Sequence, residues 1–100
     1  MDDTVINIAR DFSRAPAGRF ISDGPNSGER FRTEYLVPAL GKAEAVTIEL
    51  DGARAYGSSF LEEAFGGLVR LGYAAADLLR RLQLKSSDPS LVAEIRSYLH

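Results

Sequence analysis

From Ser59 to Leu71 the chain is apolar on almost every helical face, which suits the inside of a layered domain and nothing simpler. Phe60, Ala64 and Leu71 form one row and Leu61, Phe65 and Leu68 another, while Glu62, Glu63 and Arg70 alone require water. A largely buried helix needs a core around it. The 100 residues, 45% hydrophobic and 26% charged, supply one such core and are too few for two. The expectation is a single domain over residues 1–100, neither disordered nor a low-complexity repeat.

Composition also excludes several function classes. Without cysteine there is no disulfide, thiolate metal site or cysteine nucleophile. A net charge of −2 offers no general attraction to nucleic acid or anionic lipid. No apolar run approaches the roughly 18 residues of a membrane helix. The acidic opening Met1-Asp2-Asp3-Thr4 differs from a signal or transit peptide, so a cytoplasmic location is expected.

Around the buried helix the pattern alternates between strand and helix. Thr4 to Ala9 is a β-branched first strand, and Arg19-Phe20-Ile21 a second, paired antiparallel through the Ser13–Gly18 turn. Asn26, three residues before Glu29, suits a helix N-cap. Phe31, Tyr35 and Ala39 share a face of that helix, which Pro38 should kink or end. Val46, Ile48 and Leu50 alternate with Thr47 and Glu49 as the clearest strand, and a loop follows from Asp51 to Gly57. Ser59-Phe60-Leu61-Glu62 has the capping-box spacing, with Ser59 as N-cap and Glu62 reaching back to it. Gly66-Gly67 inside the helix predicts close helix–sheet contact. Ala74 to Arg81 is a further helix, Leu82–Lys85 a short strand, and Asp88-Pro89 opens a terminal helix striped by Leu91, Val92, Ile95 and Leu99. The order β-β-α-β-α-β-α predicts an α/β fold with a mixed sheet of about four strands covered by helices.

No catalytic set is present. His100 is the only histidine and the last residue, so no base serves a serine. Glu62 and Glu63 are adjacent on a helix and point apart, so they read as solubilising rather than as an acid/base pair, and no metal or cofactor is expected. Ten of the twelve basic residues are arginine, but Arg10, Arg14, Arg19, Arg54, Arg70 and Arg96 are dispersed and read as surface solvation. Two loops remain as candidate sites. Asn26-Ser27-Gly28-Glu29 leads into a helix, whose free N–H groups suit an anion or a partner, without the lysine of a P-loop. Gly57-Ser58 precedes the expected Ser59 cap, leaving the Ser58 hydroxyl open to a kinase.

From Val46 to Leu71 the strand, the Asp51-Gly52 turn and Ser58-Ser59 opening an apolar helix resemble a STAS domain, the module of sulfate transporters and anti-sigma-factor antagonists. Ser58 matches the serine that is phosphorylated in the antagonist branch and Ser59 the second serine, while Gly57 stands where aspartate is expected and Phe60 where glycine is. The whole chain resembles an uncharacterised STAS-like family, through Asp11-Phe12-Ser13, Gly18-Arg19-Phe20, Ser27 to Arg32 and Ser58 to Leu68. The resemblance implies a non-enzymatic regulatory module docking on an ATP-binding anti-sigma or histidine-kinase-like protein, with Ser58 as phosphoryl acceptor. A nucleotide or anion sensor using an open nest of N–H groups at Asn26–Glu29 is the alternative. A scaffold whose edges pair with another subunit is a third.

Overall fold

The computed structural model describes residues 3–100; Met1 and Asp2, half of the acidic opening, lie outside them. Three parallel strands form one sheet in the order β1-β2-β3: β1 Asp3–Asn7, β2 Ala45–Glu49 and β3 Leu82–Lys85. Helix α1 (28–42) joins β1 to β2, α2 (58–70) and α3 (Ala75–Arg81) join β2 to β3, and α4 (Pro89–Ser97) closes the described chain. The order is therefore β-α-β-α-α-β-α. None of these helices is long and apolar enough to cross a membrane.

Side-chain alternation shows which face of the sheet carries the core. Ile6, Val46, Ile48 and Leu82 are buried, with Ile6 beside Ile48 and Val46 beside Leu82 in register. The intervening row, Val5-Thr47-Gln83, faces away, with Val5 and Gln83 exposed. Two right-handed crossovers stepping in one direction place α1 and α2 on the same face. Between them sits an aromatic cluster in which Phe31 stacks on Tyr35 at 5.7 Å and approaches Phe12 at 5.1 Å and Phe60 at 5.9 Å, centroid to centroid.

Three sequence expectations are corrected here. Arg19-Phe20-Ile21 is not a strand, and among the described residues no antiparallel pair forms. The Gly18 and Arg19 carbonyls accept from the Gly28 and Glu29 N–H groups, both at 3.0 Å, so this segment closes the start of α1 instead of extending a sheet. Ile21–Asp23 is one turn of 3-10 helix. The first strand ends at Asn7, and Ile8–Phe12 winds into a wide helical turn. Pro38 neither ends nor interrupts α1, which runs on to Lys42. Arg32–Leu36 widens into a π turn, with the Val37 N–H reaching the Arg32 carbonyl five residues back, and Pro38 follows directly where the backbone is already re-registered.

Candidate functional site

The two helix starts meet in space. A Cβ on Gly28 would collide with the Phe60 carbonyl oxygen, so the first turns of α1 and α2 approach as closely as backbone allows. They are built in opposite ways.

At α1 the cap is Ser27, not Asn26. The Ser27 side chain is buried, and its Oγ accepts from the Arg30 N–H at 3.1 Å. The Asn26 amide instead points to the Ala15 carbonyl at 3.5 Å. Glu29 accepts from the Ile21 N–H at 2.9 Å. Gly28 and Glu29 donate to the Gly18 and Arg19 carbonyls and Arg30 to the Ser27 hydroxyl, so the Gly28–Glu29 half of the expected N–H nest is occupied.

At α2 the helix begins two residues earlier than the capping-box pattern predicts. Gly57 is the N-cap, and no side chain caps the helix. Ser58 and Ser59 are its first two residues and both are exposed. Ser59, already helical, has left the extended backbone that lets an N-cap hydroxyl turn back to the N–H groups. Glu62 cannot close a capping box because its carboxylate is taken by arginines.

Those arginines are what sequence reading missed. Arg19 Nη1 lies 2.5 Å from Glu62 Oε1 and 3.1 Å from Glu63 Oε1. Arg70 Nη1 meets Glu62 Oε2 at 2.7 Å. Arg32 Nη1, from α1, donates to Glu63 Oε2 at 2.8 Å and to the Glu63 carbonyl at 2.7 Å, inside a second π turn at Glu62–Gly66. Gly67 makes room for this arginine, since a Cβ there would strike Arg32 Nη1. The Gly66-Gly67 pair therefore admits ionic side chains, not the close helix–sheet contact that its position predicts. Three guanidinium groups enclose two carboxylates and tie the 18–23 loop, α1 and α2 together. Hydrogen bonds from Arg70 and Arg19 hold the Glu62 carboxyl down at about 2. Burial pushes Glu63 up, but bonds from Arg32 and Arg19 outweigh it and leave that carboxyl below its ordinary value. Arg70 and Glu63 lie two helical turns apart, a spacing visible in sequence; Arg19 and Arg32 come from 43 and 31 residues away from their partners and leave no local signal.

Beside the cluster, Phe20 and Ile21 are exposed at 47% and 54% on a fixed loop. Phe20 N–H donates to Asp23 at 2.8 Å, and Gly24 N–H to the Ile21 carbonyl at 3.2 Å. Asp51 does not join Glu62 and Glu63. It accepts from Ser87 N–H at 3.0 Å in an open crevice of about 580 Å³ beyond the carboxyl ends of β2 and β3, shared with Tyr56, Asp88 and Glu94. Among the described residues, no group of three or more His, Cys, Asp or Glu side chains is placed to hold a metal ion.

No curated protein and no solved structure matches the chain. A family model described as a STAS-like domain of unknown function (DUF4325) matches residues 27–91, which span β2, β3 and both converging helix starts. The chain thus belongs to this STAS-like family, in keeping with its α/β architecture and its three-stranded parallel sheet.

Proposed function

We propose that the chain is a non-enzymatic regulatory module, similar to anti-sigma-factor antagonists, that docks on an ATP-binding, histidine-kinase-like protein and is switched at Ser58. The observation that carries this reading is the contrast at the converging helix starts: Ser27 is buried as a cap, whereas Ser58 is exposed on an uncapped first turn. In the transfer, Ser58 Oγ bonds the γ-phosphorus of ATP, ADP leaves, and the hydroxyl proton passes to a base of the partner. The phosphate adds about −1.5 to −2 charges beside a surface where Phe20 and Ile21 stand ready as apolar anchors. Glu62 and Glu63 would repel it if they were free, but three arginines already neutralise them. The sensor alternative has less support, because the Gly28 and Glu29 amides of its Asn26–Glu29 nest already donate to the Gly18 and Arg19 carbonyls.

Incubation with ATP and the co-purified kinase-like partner, followed by intact mass and fragmentation spectra, tests the switch. One phosphate at Ser58, absent in Ser58→Ala, is the expected result. An unmodified chain that still binds its partner would remove the switch and leave the docking module. Phosphate at Ser27 would require α1 to open and would overturn the assignment.

A further inference from the structure

We infer that Arg19 is the residue that receives a phosphate on Ser58, turning from Glu62 and Glu63 to pair with it; the inference rests on Ser58 being the modified residue. The cluster on α2 joins three guanidinium groups to two carboxylates, so it is one anion short. Among the described residues, the acids beside the 18–23 loop do not make up the difference. Asp23 accepts from the Phe20 N–H at 2.8 Å and Glu29 from the Ile21 N–H at 2.9 Å, and neither pairs with Arg19, Arg32 or Arg70. Ser58 lies one turn before Glu62, whose N–H bonds to the Ser58 carbonyl. That spacing sets the two side chains on one helix face with Cβ atoms about 6 Å apart. A phosphate on Ser58 is therefore a second anion beside the one that Arg19 already holds.

Of the three arginines, Arg19 is the one that can move. Arg32 is about nine-tenths buried and is pinned twice, by the Glu63 carboxylate at 2.8 Å and the Glu63 carbonyl at 2.7 Å. Arg70 sits roughly 18 Å along α2 from Ser58 and reaches back only as far as Glu62. Arg19 is about a third exposed, on a loop whose backbone is tied to α1 through the Gly18 and Arg19 carbonyls, so the exchange needs only its side chain to turn. Its departure orphans neither carboxylate: Glu62 keeps Arg70 at 2.7 Å and Glu63 keeps Arg32 at 2.8 Å. In return Arg19 gains a partner with about −1.5 to −2 charges and three acceptor oxygens, which binds a guanidinium more strongly than a shared carboxylate does. The phosphate is drawn toward the loop in which Phe20 and Ile21 follow Arg19, so the modification recharges the surface that carries those two exposed apolar side chains.

Phosphoserine installed at position 58 during synthesis of the full chain, with no kinase involved, tests the pairing apart from the question of whether a kinase modifies Ser58. The second ionisation of the phosphate, read by phosphorus NMR, should fall from its ordinary value of about 6 to about 5.5 or below. In Arg19→Gln it should return to about 6. Should that variant unfold, the guanidinium nitrogen resonances of Arg19 in the unsubstituted phosphorylated chain decide: they should titrate with the same midpoint as the phosphate. An ionisation that stays near 6, one that is lowered equally in Arg19→Gln, or Arg19 resonances that ignore the phosphate would overturn the pairing. A chain that its partner leaves unmodified, but whose installed phosphate captures Arg19, would remove the switch and uphold the pairing.

Discussion

The starts of α1 and α2 carry nearly the same chemistry, a serine beside a glycine, yet fold into opposite roles. In Ser27-Gly28 the serine caps and the glycine lets another helix backbone touch it; both are buried. In Gly57-Ser58 the glycine caps, has nothing within 4 Å of a would-be Cβ, and leaves the serine exposed. Reversing the order of the two residues moves the hydroxyl from the N-cap to the first helical position, where it cannot satisfy the N–H groups. The first pair therefore builds the fold and the second leaves a side chain available for chemistry.

The sharpest way to break this contrast is to add a side chain at each glycine. Gly28→Val forces a branched side chain into the Phe60 carbonyl, a backbone atom that cannot rotate away, and should cost about 3 kcal/mol or more in urea denaturation. Gly57→Ala, at φ −71° in open space, should change stability by less than about 0.5 kcal/mol. Similar losses at both positions would mean that the helix starts do not meet as described.

The ion cluster locks the first region to the second, and acid should loosen it. Glu63→Gln leaves the Arg32 guanidinium without its carboxylate in a site where both side chains are about nine-tenths buried, at a cost of about 2 kcal/mol. For Glu62 the folded carboxyl is depressed from 4.5 to about 2. Its contribution is thus fully present above the unfolded value and is lost as pH falls through about 5 to 2. Glu62 is about a third exposed, so solvent screening limits that loss to about 1 kcal/mol. Denaturation midpoints measured across this range should fall in the unmodified chain and flatten in Glu62→Gln. Parallel curves would show that the Arg19 and Arg70 contacts contribute nothing in solution.

Much of the scaffold was legible because its signals are local. The alternation of Val46 and Ile48, the Leu82–Lys85 strand and the Asp88-Pro89 helix start all lie where spacing puts them, and Asp88 does accept from Ser90 N–H at 3.0 Å. What escaped depends on distant partners. Arg19-Phe20-Ile21 has strand-like composition, but its neighbouring carbonyls are claimed by α1, and three residues cannot hold a register against that. Pro38 reads as a helix end until the π turn before it is known. The capping box failed because Ser59 is already helical behind the Gly57 cap, and Glu62, which fits it in spacing, is held by Arg19 from a distant loop and Arg70 of its own helix. Local reading assigned the α2 cap to Ser59, whereas Gly57 holds that position.

Removing the first serine sharpens the comparison further. Ser27→Ala deletes a buried cap and strands the Arg30 N–H, which should cost about 1 kcal/mol. A loss near zero would mean that water reaches the N–H and that Ser27 is not the structural partner of the pair.

The smallest effect is the most informative for function. Ser58→Ala and Ser59→Ala should each shift stability by less than about 0.5 kcal/mol, since neither hydroxyl caps the helix and alanine is the better helix former. A residue that costs nothing to replace is not held in place by the fold, so a strong effect of Ser58→Ala on partner regulation would have to arise from the hydroxyl's own chemistry. Measured in the same denaturation series, a loss of about 1 kcal/mol or more at Ser59 would restore it as the cap and move the start of α2 by two residues. The same loss at Ser58 would give that hydroxyl a structural bond in solution and make it as unavailable to a kinase as Ser27. Near-zero values at both, beside a full loss at Ser27, would establish that one helix start is spent on stability and that the other is free to be modified.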